Sequence, residues 1–155
     1  MEITKYPNSI LASKIKQVEE ITPELLALIN DMKAKMIEAK GVGLAGNQVG
    51  LDLAIFVIDR DLAKEHKVPE VYINPQITEY SKDSIFMEEG CLSLPDRWLN
   101  ITRSKKVYLK AIDEKGNKLK IRARGFLARV YQHETDHLNG LLIKDRFEKQ
   151  NPPKK

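Results

Sequence analysis

The chain has 155 residues, 42% hydrophobic and 31% charged, enough apolar material for one buried core and too much for intrinsic disorder. Its longest uninterrupted apolar run, Leu53 to Ile58, falls far short of the roughly 20 residues a membrane helix needs, and the N-terminal residues lack the continuous apolar stretch of a secretory signal. The formal charge of +4 comes from basic residues interleaved with acids along nearly the whole chain, which is weak evidence for a nucleic-acid partner.

Thr22-Pro23-Glu24 opens a long helix: the threonine oxygen caps, proline suits the first helical position and an acid favours the positive end of the dipole. Leu25, Ile29, Met32 and Met36 share one face, and Gly41 is the expected left-handed stop. Leu51 to Asp59 reads as a buried strand and Val71 to Thr78 as a second, broken at Asn74-Pro75, with residues 60 to 70 as a polar connection. Val107 to Asp113 and Lys118 to Ala123 flank Glu114-Lys115-Gly116-Asn117, the pattern of a hairpin. From Gly125 the period becomes helical, with Phe126, Val130, His133, His137 and Leu138 on one face and Gly140 to end it. Residues 148 to 155 are charged and proline-containing and read as a frayed, flexible tail behind a single domain over 1 to 147. These elements do not alternate regularly between strand and helix, so the fold class is α+β.

The sharpest chemical feature is His133-Glu134-Thr135-Asp136-His137 on that last helix. Residues four apart lie within about 40° around the axis and roughly 6 Å along it, a spacing that one metal ion bridges. Glu134 is rotated about 100° from His133, outside the ligand set yet close enough to hold a water as general base. Only three histidines exist; His66, in the polar connection, reads as a solvated side chain. Two histidines bind a divalent ion loosely, so a third ligand is expected with one position left open. Cys91, the single cysteine, is the leading candidate, although a lone cysteine is also commonly a small core hydrophobe. It follows Glu88-Glu89-Gly90, where glycine permits a sharp turn that aims a thiol outward. A third segment, Gly41 to Gly50, lacks the Gly-Lys-Ser/Thr of a phosphate cradle. It reads either as a simple helix-to-strand loop or as backbone lying close to a bound chain, with Gln48 able to donate to an oxygen.

Together these segments resemble those of the peptide deformylases, enzymes that remove the formyl group from the N-terminal methionine of new polypeptides. The family's segments read Gly-x-Gly-Leu-Ala-Ala-x-Gln, Glu-Gly-Cys-Leu-Ser and Gln-His-Glu-x-Asp-His-Leu-x-Gly; this chain has Gly41 to Gln48, Glu89 to Ser93 and Gln132 to Gly140 in the same order. The resemblance covers about Ile3 to Phe147. It implies small antiparallel or mixed sheets packed around a central C-terminal helix that carries the His-Glu-x-x-His motif, with a long N-terminal helix. It further implies a metal on Cys91, His133 and His137, with a water in the fourth place as nucleophile and Glu134 as general base and acid. The Gln48 amide and the Leu92 backbone N–H would meet the oxyanion, where one donor is typically worth about 3 to 4 kcal/mol. Val42, Phe126, Arg129 and Val130 would form an apolar slot for the substrate methionine, with the aliphatic part of Arg129 along its wall. The rest of the peptide would lie against backbone at Gly43, Leu44 and Gly90. Glu89, Arg103 and Asp136 would orient ligands and loops.

The family commonly works with ferrous iron, while zinc, nickel or cobalt suit the same donors in a purified sample. The implied setting is a bacterial-type cytoplasm, or an organelle if an upstream segment has been removed. The expected protein is a monomer acting on N-formylmethionyl nascent peptides, with no membrane and no specific nucleic acid as partner. Proximity to the ribosome accords with such a substrate, but docking cannot be inferred from the short tail ending Pro152-Pro153-Lys154-Lys155. Two departures stand in the first segment: Gly46 where the family usually has alanine and Asn47 where many members have proline. Both lead us to expect a less rigid Gln48 loop, glycine for alanine costing about 0.5 to 1 kcal/mol in ordering, with activity retained. A zinc-type peptidase and a nonenzymatic Cys-His-His site are the competing readings; Cys91 argues against the first and Glu134 against the second.

Overall fold

The computed structural model describes residues 1–153. Thr22 caps the first helix, α1 (Pro23–Glu38), its Oγ1 accepting from Leu25 N at 3.1 Å. Leu25, Ile29, Met32 and Met36 are all buried. The helix ends one residue earlier than expected: Lys40, at φ 57°, takes the left-handed position, with Lys40 N bonded to Ile37 O and Gly41 N to Met36 O. This double closure satisfies the last carbonyls, so Gly41 is not the left-handed residue.

A five-stranded antiparallel sheet follows, in the spatial order β1 (Gly43–Ala45), β2 (Ile55–Ile58), β3 (Val71–Tyr80), β6 (Lys106–Ile112) and β7 (Lys118–Arg124). The strand foreseen over Leu51 to Asp59 is confined to β2, whose alternate residues face two different cores. Ile55 and Val57 meet α1, while Phe56 and Ile58 meet α3 (Gly125–Leu138) on the opposite side. Burial on both faces explains why β2 reads as one apolar run. In β3 the expected break appears as a register shift between Ile73 and Gln76, with Asn74 at φ 52° and its side chain bonded to both backbone groups of Val18. The polar connection after β2 is in fact a short helix, α2 (Arg60–His66), capped by Asp59 Oδ2, which accepts from Asp61 N and Leu62 N at 3.1 Å each.

A separate two-stranded ribbon, β4 (Ser84–Cys91) with β5 (Leu94–Ser104), carries Cys91. Gly90 sits within β4 at a register shift, and the chain reverses at Leu92-Ser93 with Cys91 opposite Leu94. The thiol is therefore placed by a hairpin end, not by a turn at Gly90. Helix α3 fills the space between sheet and ribbon, and a last helix, α4 (Ile143–Gln150), packs Ile143 with Leu94 and Ile101 of β5. Gln150 exchanges two 2.9 Å hydrogen bonds with the Thr102 backbone, so the segment expected to fray is helical through Gln150. The α+β class and the central motif helix stand, with the sheets wholly antiparallel among the described residues. No helix among those residues is long and apolar enough to cross a membrane.

Candidate metal centre

Helix α3 anchors itself through Leu127, Ala128, Val130, Tyr131 and Leu138, buried against the sheet. That packing turns His133 and His137 toward the ribbon. Cys91 Sγ lies 3.4 Å from His137 Nε2, His137 Nε2 lies 3.1 Å from His133 Nε2, and the three donor atoms all fall within 4.8 Å of one another. A tetrahedral ion with nitrogen donors at about 2.0 to 2.1 Å and sulfur at about 2.3 Å sets its ligands roughly 3.3 to 3.6 Å apart; the 3.4 Å sulfur–nitrogen edge falls in that range and the 3.1 Å nitrogen–nitrogen edge lies just below it. His133 Nδ1 faces Glu89 Oε1 at 2.8 Å, which holds the ring with its Nε2 toward the other donors.

The electrostatics favour positive charge at this point. Burial raises the Cys91 thiol, but the charge of His137 and hydrogen bonds from His133 and His137 outweigh it and bring the pKa down to about 5. Burial opposes protonation of His133, yet the Cys91 and Glu89 hydrogen bonds carry it up to about 10. A thiolate, two imidazoles and a carboxylate behind them suit either protons or a divalent ion. Glu134 differs: burial pushes its carboxyl up despite the charges of His137 and His133. Its Oε2 is buried without a hydrogen-bond partner, and the residue lines the adjoining cavity. Gly43 makes room for it, since a Cβ there would stand 2.9 Å from Glu134 Oε1.

Gln48 is held on a 3-10 turn, Gly46–Val49, directly after β1. Its Oε1 accepts from Ala45 N at 3.0 Å, and because an amide N–H only donates, Nε2 must face the other way. There it donates to Ser93 Oγ at 3.2 Å, 3.7 Å from Cys91 Sγ. Both departures in this segment sit in close packing. A Cβ at Gly46 would fall 2.5 Å from Leu53 O, and the buried Asn47 donates to His137 O at 2.7 Å.

A cavity of about 480 Å³ opens beside the donors. Val42, Gly43, Gly90, Leu92, Phe126, Arg129 and Val130 line it, as do Met87 and Trp98, which the sequence did not single out. Trp98 packs over Gly90 so closely that a Cβ there would stand 2.5 Å from the indole. Leu44 does not line the cavity; its side chain is wholly buried against α1 and β2. The guanidinium of Arg129 turns away from the cavity into a buried network: it donates to Glu89 Oε2, to Ile101 O at 3.1 Å and to Ile85 O at 2.7 Å. Arg103 grips the same Glu89 at 2.9 and 3.0 Å and also reaches Asp136. Ser93 and Arg146 were also given no part by the sequence. Ser93 stands within the quoted second segment, so its position was visible; Arg146 offered no local signal.

The family model described as polypeptide deformylase matches residues 1–153. A peptide deformylase of Borreliella burgdorferi is 45% identical over 154 residues, covering 96% of this chain and 88% of the relative, and one of Thermodesulfovibrio yellowstonii is 41% identical over 147, covering 95% and 88%. Among solved structures, a peptide deformylase of Synechococcus elongatus in complex with actinonin superposes with a TM-score of 0.89 at 39% identity, covering 96% of this chain and 81% of that one. That of Thermotoga maritima gives 0.87 at 37%, covering 94% and 96%.

Proposed function

The chain belongs to the peptide deformylase family, metal-dependent hydrolases that remove the N-formyl group from nascent polypeptides, and within that activity we propose the following part for each residue. Cys91, His133 and His137 hold one divalent ion, a reading supported by their 3.4 and 3.1 Å separations and by the carboxylate behind His133. When bound, that ion supplies Lewis-acid chemistry, polarising a carbonyl oxygen and bringing the pKa of a water toward roughly 7. Thiolate and imidazole donors accept iron, zinc, nickel or cobalt, and we assign Fe(II) to the working enzyme.

Glu134 takes the proton of the attacking water and later delivers it to the departing amine, releasing formate and a free N-terminus. Its unpartnered Oε2 and raised pKa suit a group that must both accept and return a proton. The Gln48 Nε2–H, with the Leu92 backbone N–H, meets the negative charge that develops on the formyl oxygen. The methionine side chain enters between Val42, Phe126 and Val130, all cavity-lining. The peptide backbone extends along β1, an edge strand among the described residues, where main-chain pairing binds peptides without demanding particular side chains. Gly43 and Gly90 let it approach, while Leu44 contributes only its backbone. Glu89, Arg103 and Asp136 orient His133 and the ribbon. We place the protein in the cytoplasm, where nascent formylated chains are found.

The observation that carries this assignment is the convergence of Cys91, from the ribbon, upon a histidine pair on α3. Its test is anaerobic purification, metal analysis and formate release from a formyl-methionyl tripeptide. One equivalent of iron with turnover is expected. Turnover lost in Glu134→Ala with the metal retained supports the base; turnover undiminished in that variant overturns it. Cleavage of an internal-bond peptide in preference to the formyl substrate would move the site to the peptidase reading.

A further inference from the structure

We propose that the outer face of the β6–β7 hairpin is a binding surface for structured RNA, engaging its phosphate backbone through Lys106, Lys110, Lys118, Lys120, Arg122 and Arg124. In the sequence these cations are diluted by Val107, Leu109, Ala111, Leu119, Ile121 and Ala123, which point the other way into the core side. Folding undoes the dilution. The antiparallel register sets Lys106 opposite Arg124, Tyr108 opposite Arg122, Lys110 opposite Lys120 and Ile112 opposite Lys118, so all six cations share one face. All six are exposed.

Like charges directly opposite one another weaken a hairpin, and here nothing offsets them. None of the six makes an ion pair among the described residues. On the neighbouring β3 the register places the single acid Glu79 beside Tyr108. At the hairpin turn Asp113 is engaged by Asn117 and by Lys115 N, and Glu114 by Lys33 at 3.5 Å. The result is a cationic ladder whose same-face residues stand about 6.8 Å apart along each strand. A lipid surface suits it less well, because such binding draws on inserted apolar side chains. Tyr108 and Ile112 on this face are half-buried, and the Arg122 guanidinium lies 5.9 Å above the Tyr108 ring. The choice of RNA rests on the deformylase reading: a nascent N-terminus emerges from an RNA-built particle, and Arg124 stands two residues before Phe126 at the substrate cavity.

The test is fluorescence anisotropy of the full chain with a labelled duplex RNA of about 20 base pairs, over salt from about 50 to 200 mM. Binding is expected to weaken about a thousandfold across that range. Lys110→Gln/Lys120→Gln/Arg122→Gln should lose at least tenfold in affinity and about one unit of salt slope for each charge removed. Lys14→Gln/Lys64→Gln/Lys67→Gln, with the same net charge, should keep both. If the first triple variant fails to fold, Lys120→Gln alone serves: it should lower the slope by about one unit while raising the melting temperature, since it relieves the pair with Lys110. Equal losses in the two triple variants, absence of salt-dependent binding, or equally tight binding to phosphatidylserine vesicles or polyglutamate would overturn the proposal. Formate release from the free tripeptide is measured alongside and should not change. RNA binding without deformylation would support the surface while sinking the enzyme reading, and deformylation without RNA binding would do the reverse.

Discussion

Arg146 on α4 grips both carboxylate oxygens of Asp136 on α3, Nη2 to Oδ1 at 2.6 Å and Nε to Oδ2 at 3.1 Å. Asp136 in turn meets Arg103, Arg103 holds Glu89, and Glu89 Oε1 faces His133 Nδ1 at 2.8 Å. Charges alternate along this chain, so each carboxylate lies between cations in a mostly buried setting. Three elements besides α3 itself, namely β4, β5 and α4, therefore fix the orientation of one imidazole. Arg129, holding Glu89 from within α3, closes the network.

Removing Arg146 leaves Asp136 with one cation where it had two. Arg146→Met should therefore weaken metal binding about 10- to 100-fold, the usual effect of losing a group that orients a ligand. Stability should fall by about 2 kcal/mol, less than for a fully buried pair because Arg146 is partly exposed. Arg146→Lys should recover part of the metal affinity. Chelator competition and thermal melts check both, and an unchanged affinity in the methionine variant would detach α4 from the metal centre.

Gly46→Ala, which restores the residue common in the family, should harm this chain. Its Cβ would meet the Leu53 carbonyl, a backbone atom that cannot rotate aside. We expect a loss of about 1 to 3 kcal/mol from overpacking. As Gln48 shifts with the turn, kcat should fall more than KM changes. A variant as stable and active as the parent would show that the loop from Leu51 to Leu53 yields freely.

The features legible in the sequence are those set by neighbours in the chain. The Thr22 cap, the Glu114–Asn117 turn and the four-residue step from His133 to His137 are local patterns, and each appears where expected, with Asp113 leaving the strand to close the turn. The β4–β5 ribbon is not legible in the sequence because Ile85, Phe86, Met87 and Trp98 are exposed among charged residues, leaving no clean alternation between buried and exposed positions. Helix α2 is hidden for a similar reason: only Leu62 and Ala63 within it are buried. The family resemblance makes Arg129 a wall of the methionine slot, and the residue does line the cavity. Its guanidinium partner, Glu89, lies 40 positions away and belongs to a strand the pattern did not reveal. The cationic ladder was hidden for the opposite reason, since interleaving along a strand is what gathers residues onto one face.

Gln48→Ala should lower kcat by about 10²- to 10³-fold with little change in KM, because its Nε2–H is held toward the donors before substrate arrives. Ser93→Ala should have a smaller effect, removing a partner that steadies Nε2 at 3.2 Å. Formate-release kinetics distinguish them, and a KM-dominated loss in Gln48→Ala would recast the residue as a ground-state binder.

The acid limb of stability follows from two carboxyls. For Asp136, burial alone would raise the pKa, but hydrogen bonds from Arg146 and the charge of Arg103 outweigh it and hold the group below its ordinary value. For Glu89, burial is likewise overcome by hydrogen bonds from His133 and Arg103, which hold it far below the usual carboxylate range. Between the depressed folded values and the ordinary unfolded values the unfolded chain binds more protons, so acidification favours unfolding. The contribution is complete above about pH 4.5 and is lost as pH falls through the folded values. Melting temperatures of the metal-free chain should therefore drop below about pH 5, adding to the loss that the lowered Cys91 thiol already brings as the pH falls from its ordinary range to about 5. In Arg146→Met, where burial of Asp136 is opposed by one guanidinium instead of two, the drop should begin at higher pH. Parallel acid limbs in the two proteins would mean that Arg146 leaves the Asp136 titration untouched and that the alternating network does not extend to α4.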